Sequence, residues 1–255
     1  MSNHRFYLAP ARWTEERPTL DAADSHHCVD VLRLSPNDKV VVFDGLGNEA
    51  EGILIEINRK HTRLSINNCS ATPKAHCAIT LAQAVPKARN MDLIIQKAVE
   101  LGASAIVPIL TDRTIVHLED ESDAARKRER WQLIAIEACK QSGQNWMPEI
   151  GLPRPIIDFL SAPPPSDLIL IASLQPDALP IKETLSQHSA KRGSLPARVV
   201  VLVGPEGDFT PAETALAKTA GAVPITLGPI ILRSETAAIY CLSVLGHELF
   251  HKKSA

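Results

Sequence analysis

The stretch GHELFH at residues 246–251 spells His-Glu-x-x-His. On a helix this spacing puts two imidazoles on one face, where they can hold zinc while the glutamate serves as general base. His247 and His251 would be the ligands and Glu248 the base. A catalytic zinc needs a third protein ligand, which in the two common zincin arrangements lies downstream, and only KKSA follows His251. Helix ends commonly carry His and Lys that complement the helix dipole, and this plainer reading is preferred. No metal is expected.

A more informative stretch is VVVLVGPEGDFTPAE, residues 199–213, in which five apolar residues feed the turn Gly204-Pro205-Glu206-Gly207 before Pro211 opens a helix. Glycines let the backbone approach a ligand closely, and free N–H groups beside a helix N-terminus suit a carboxylate or a polar adenosine-like group. Neither the dinucleotide fingerprint nor the Walker loop matches, and a plain strand-to-helix turn would read the same way. A second glycine loop, Gly228-Pro229, follows a short strand within 25 residues of the first and leads through Leu232 and Arg233 into another apolar-periodic helix. Ser234 is expected to cap that helix, with Glu235 in its first turn. Arg233, at the helix entrance, is expected to face the pocket between the loops.

These loops need a scaffold. After CSATPKAHC (69–77), the apolar runs 78–84, 105–110, 168–172 and 199–203 alternate with helical stretches, the pattern of a parallel sheet covered by helices. Helices are predicted over 91–101, 124–142 and 211–220, each followed by glycine (Gly102, Gly143, Gly221). Before that break, KVVVF, EAEGILIEI and TRLSI, separated by turn material such as DGLGN, read as antiparallel hairpins of a small barrel or sandwich. The expected organisation is residues 1–72 as the β domain and 73–255 as the α/β domain.

Composition narrows the class. The 255 residues are 45% apolar, enough for two buried cores. No run approaches the ~20 apolar residues that cross a bilayer. The opening MSNHRFYLAP lacks the apolar core of an export signal, so a cytoplasmic protein without membrane contact is expected. Five scattered cysteines suit reduced, buried thiols. A net charge of −2 offers no global attraction to nucleic acid, so an RNA partner would need local basic patches.

The motifs GPEG (204–207), LG (227–228) and ILRSETA (231–237) occur in order with QKAVELG (96–102), EACKQSG (137–143), RFYL (5–8) and HCVDVLRL (27–34). In these the chain resembles the ribosomal RNA small-subunit methyltransferase E family, of the SPOUT class, from Arg5 to about Leu249. The resemblance implies an N-terminal PUA-like β-barrel, RNA-binding, and a C-terminal SPOUT α/β domain whose tail is threaded into a trefoil knot, a connection that ordinary topology rules exclude. It further implies a homodimer, S-adenosyl-L-methionine as methyl donor, and methylation at N3 of a uridine in 16S ribosomal RNA of the small ribosomal subunit. In such proteins the donor lies against three loops. Here these correspond to Leu174 and Gln175; to Leu202, Val203, Gly204, Pro205, Glu206 and Gly207; and to Leu227, Gly228, Ile230, Ile231 and Leu232.

The chemistry of that reaction assigns roles. Uracil N3 carries a proton at neutral pH, so the site must favour the anion, and a fixed arginine beside the carbonyl oxygens would do so. Arg233 is the choice, with Glu206 and Glu235 both open as proton acceptor. RNA contacts are expected from Arg5 and Arg33 in the first domain and from Lys87, Arg89 and Lys97 in the second, because basic side chains track phosphates without reading bases. The run ARKRER (125–130) reads instead as an exposed helix face. The chain departs from the family pattern at Asp208, usually glycine, at Gln144 and Ile230, usually arginine, and near Asp30, where another base is usual. Asp208 could compete with the donor's carboxylate for N–H groups. Two rivals from other classes are a non-catalytic RNA-binding protein and a dinucleotide oxidoreductase, the second lacking a phosphate-cradling fingerprint.

Overall fold

A computed structural model describes residues 4–87, 90–115 and 120–250. The chain divides into two compact units, residues 1–74 with 136–147, and residues 75–135 with 148–255.

In the first unit, β1 (Arg5–Tyr7), β2 (Lys39–Phe43), β3 (Asn48–Glu56) and β4 (Arg63–Ala71) form one sheet in that order. The β2–β3 and β3–β4 pairs are antiparallel, as alternating Val and Ile with intervening turn residues predict. β1 adds in parallel, Arg5 opposite Val41, a pairing outside the hairpin reading. Between β2 and β3, the Asp44 carboxylate accepts the N–H groups of Leu46 (2.7 Å) and Asn48 (3.0 Å), which makes DGLGN a closed turn. Gly47 there has φ +96°, and a Cβ would come within 2.4 Å of the Trp146 ring, so no larger residue fits. Phe6, Leu8, Val40, Val42, Leu54 and Leu64 form the core. A short helix, α1 (Ala22–His26), begins where Asp21 caps the N–H of Asp24 at 2.7 Å. The Asp24 carboxylate then meets Lys140 at 2.6 Å, both side chains nearly buried. Asp24 and Glu137 hold the Lys140 ammonium above its ordinary pKa although its own burial opposes this.

The second unit holds β5 (Ala78–Ala84), α2 (Asn90–Glu100), β6 (Ala105–Leu110), α3 (Glu121–Ser142), β7 (Glu149–Ile150), β8 (Arg154–Pro155), α4 (Ile156–Ser161), β9 (Leu168–Ala172), β10 (Leu179–Pro180), α5 (Ile181–Arg192), β11 (Arg198–Val203), α6 (Pro211–Thr219), β12 (Ala222–Thr226) and α7 (Ser234–Leu249). The last turns of α3 count with the first unit. The sheet is parallel in the order β10-β12-β9-β11-β5-β6-β7, with β8 also on β6. Val199 to Val203 are all buried, the near-continuous apolar run of a parallel strand covered on both faces. α2 buries Met91, Ile94, Ile95, Ala98 and Val99, the i, i+3, i+4 stripe of an amphipathic helix, and packs on α7. α3 starts three residues before its predicted beginning because the Asp120 carboxylate accepts the N–H of Asp123 at 2.9 Å. α6 opens with a capping box between Thr210 and Glu213, worth about 1 kcal/mol. No helix among the described residues is long and apolar enough to cross a membrane.

Candidate active site

Strands β12, β9 and β11 are neighbours and run parallel, so the segments that leave them at Thr226, Ala172 and Val203 emerge on the same edge. Open α/β sheets bind ligands at such carboxyl ends. Here the three loops enclose a cleft of about 610 Å³, the open mouth included. One wall is Ala172 to Leu174; a second is Val203 to Glu206 with Asp208; the third is Leu227, Gly228 and Ile230 to Leu232, closed by Ser234 and Ala237 of α7.

Of the predicted donor-binding residues, Leu174, Val203, Gly204, Pro205, Glu206, Leu227, Gly228, Ile230, Ile231 and Leu232 come together at this cleft. Leu202 does not line it and is wholly buried within β11, because alternate strand residues face the helices. Gly207 turns toward Arg113, whose guanidinium donates to its carbonyl at 2.5 Å. Gln175 lies one residue beyond the lining segment. Ala172, Ser173, Ser234 and Ala237 line the cleft without having been expected there, and Asp208, expected near the donor's carboxylate, lines it as well. Strand ends adjacent to the predicted residues were the available signal for Ser173.

Ser234 does not cap α7. Arg233 occupies the cap position, with no side-chain hydrogen bond to the helix. The Ser234 hydroxyl instead donates to the carbonyl of Gly204 at 2.6 Å and accepts the amide of Gln83 at 2.9 Å. Gln83, fully buried in β5, also donates to the carbonyl of Ala84, while its own carbonyl oxygen has no partner among the described residues. This chain of bonds joins β5, the β11 loop and the start of α7.

The glycine loop is held from outside as well. A turn closes from the Asp208 N–H to the Pro205 carbonyl at 3.0 Å. Glu206 accepts the backbone N–H of Lys87 at 3.0 Å. Glu213 accepts the N–H groups of Asp112 (2.9 Å) and Thr210 (2.8 Å), fastening α6 to the β6 loop. Arg233 is exposed, set between Leu232 and Ser234 of the cleft wall, with no side-chain partner among the described residues. Glu235, in the first turn of α7, has one buried carboxylate oxygen without a donor among the described residues.

The basic side chains are placed unequally. Arg5 is 14% exposed, paired with Glu49, donating to Asn145 at 2.7 Å and lying over the Phe43 ring, so its guanidinium is engaged inside the first unit. Lys97 pairs with Glu100 at 2.8 Å. Arg33 and Lys87 are exposed without side-chain partners among the described residues, and Arg33 has a positive φ of 53°. Arg89 lies outside the described residues, as does His251 of the His-Glu-x-x-His stretch. In ARKRER, Arg126 pairs with Asp123 and Arg130 with Asp92. Among the described residues no group of three or more His, Cys, Asp or Glu could hold a metal ion.

The cleft suits an adenosyl donor chemically. Leu174, Ile230 and Ile231 are 60%, 70% and 80% exposed, apolar surface at its mouth that a flat purine would cover. The glycine loops beside them offer backbone polar groups at close approach.

The RNA methyltransferase domain family matches residues 73–246, and the RNA methyltransferase PUA domain family matches residues 20–66. The chain is 33% identical to the Ribosomal RNA small subunit methyltransferase E of Synechocystis sp., across 94% of this chain and 76% of that one. Against the protein of the same name from Bacillus subtilis it is 32% identical, across 92% of both. A crystal structure of a Ribosomal RNA small subunit methyltransferase E from Neisseria gonorrhoeae bound to S-adenosyl methionine superposes with a TM-score of 0.84 at 31% identity, covering 97% of this chain and 98% of that one. With both of its units matched, the chain belongs to the ribosomal RNA small subunit methyltransferase E family, a PUA domain joined to an α/β RNA methyltransferase domain.

Proposed function

We propose that the chain transfers the methyl group of S-adenosyl-L-methionine to N3 of a uridine in 16S ribosomal RNA of the small subunit. The observation that carries this is the cleft at the ends of β9, β11 and β12, with Arg233 presented at its edge by the start of α7. The donor, when bound, supplies an electrophilic methyl on a sulfonium. The protein's part is positioning and charge. The loops at Leu174, Val203 to Glu206 and Leu227 to Leu232 hold the donor. Arg233 meets the uracil carbonyl oxygens and lowers the cost of the N3 anion. Glu235 or Glu206 takes the N3 proton, and Glu235 is favoured by its buried oxygen, which has no partner among the described residues.

Residues 1–72 act in this reading as the RNA-binding PUA-like domain and 73–255 as the catalytic one, with Arg33 and Lys87 as the exposed cations best placed to meet phosphates. A threaded tail belongs to the same reading: β12 pairs with β9, yet α7 packs back on β5, β11 and α2. So does a homodimer, which would cover exposed apolar surface such as the 42%-exposed Tyr240 of α7. The cell's cytoplasm, where ribosomal RNA is modified, is the expected location. Mass spectrometry of ribosomal RNA from cells with and without this protein tests the function. Loss of one methyl mark on a 16S uridine is the expected result, and an unchanged set of marks overturns it.

A further inference from the structure

Methyl transfer removes a charge from the donor. As N3 of the uracil anion bonds to the methyl carbon, the sulfur–methyl bond breaks and its electron pair stays on sulfur, converting a cationic sulfonium into a neutral thioether. Donor and product otherwise differ only by the methyl group that leaves, so contacts to the adenosyl or amino-acid parts cannot tell them apart. A charge near the sulfur can.

Among the described residues, the cleft wall carries two carboxylates, Glu206 and Asp208, and no Lys, Arg or His. Glu206 is tied by its bond to the Lys87 N–H. Arg113 touches the same loop through the Gly207 carbonyl but does not line the cleft. Asp208 is different. Its backbone is left-handed, φ 62°, a conformation that Asp tolerates better than most residues. One of its carboxylate oxygens accepts the Phe209 N–H at 2.8 Å and stands 3.3 Å from where a Cβ on Gly204 would be, which fixes the side chain over the glycine loop. The other oxygen has no partner among the described residues. A preorganised anion in the wall, half-shielded from water, attracts a cation more strongly than a free carboxylate would.

Resting on the methyl-transfer reading, we propose that Asp208 is a specificity residue that makes the cleft prefer the sulfonium donor over its thioether product, so that transfer itself weakens product binding. The test is calorimetry of the full chain with S-adenosylmethionine and with S-adenosylhomocysteine, for the wild type, Asp208→Asn and Asp208→Gly. Both variants can keep the left-handed backbone, and their melting temperatures check that they fold. The expected result is that the ratio of product Kd to donor Kd falls about fivefold in each variant, the size of one unit charge acting across several ångströms in a half-exposed cleft. Product affinity should stay nearly constant. In the wild type alone, raising salt should also lower the ratio. Equal weakening of both ligands would make Asp208 an anchor for their shared amino group and overturn the proposal, as would a ratio that neither variant nor salt changes. A wild type that binds neither ligand would reject the methyl-transfer reading itself.

Discussion

The Ser234 hydroxyl donates to the Gly204 carbonyl at 2.6 Å while it accepts the Gln83 amide at 2.9 Å. One buried hydroxyl thus locks the start of α7, which carries Arg233, onto the loop that forms the second wall of the cleft. Ser234→Ala strips a part-buried carbonyl and a buried amide of their shared partner, a loss of about 1–3 kcal/mol. Thermal unfolding should register it as a drop of several degrees, and calorimetry should show weaker donor binding. Gln83→Leu on the Ser234→Ala background should cost less than the separate losses added together, because the two side chains act as one network.

Arg233→Ala is expected to lower single-turnover methylation by about 10²–10³-fold, the range for removing one preorganised donor to a developing anion. Donor Kd should change far less, since the guanidinium is placed beside the wall and not within it. Losses of equal size in rate and in donor affinity would make Arg233 a binding residue.

The two acidic candidates separate by substitution. One carboxylate oxygen of Glu235 is buried with no partner among the described residues, whereas Glu206 already accepts a backbone N–H from Lys87. Glu235→Gln should abolish most single-turnover methylation. Glu206→Gln retains an acceptor for the Lys87 N–H and should keep most of that rate. The reverse pattern would transfer the proton-acceptor role to Glu206.

Thiol chemistry offers a test of the cores. Burial pushes the Cys28, Cys139 and Cys241 thiols up to about 12 and Cys77 up to about 11, from an ordinary 9.0. Cys69 is exposed. A thiol reagent should therefore find one cysteine of five in the native protein and all five in guanidinium. The raised folded pKa values mean that the fold keeps protons which the unfolded chain releases above pH 9. Their contribution to stability is intact below 9 and is lost as pH climbs from 9 toward 12, so denaturation midpoints should fall across that window and not below it.

Much of the scaffold was legible in the linear chain because its signals are local. The runs at 78–84, 105–110 and 168–172 are strands with those very bounds, and the helices ending before Gly102, Gly143 and Gly221 stop where a left-handed glycine follows. Such features depend on a handful of consecutive residues. The two glycine loops were visible for the same reason. Long-range partners were not. Ser234 reads as a helix cap, yet its hydroxyl serves Gly204, 30 residues away, and Gln83, 151 away. Arg5 reads as an RNA contact, and the linear chain gives no sign that Glu49 and, 140 positions on, Asn145 engage its guanidinium. The sequence by itself determined which segments become strands, helices and glycine turns. Only the tertiary structure decided that β12, β9 and β11 lie side by side, so that three separate loops share one cleft, and which buried polar groups satisfy one another there; these choices depend on strand order and close packing, which no local pattern encodes.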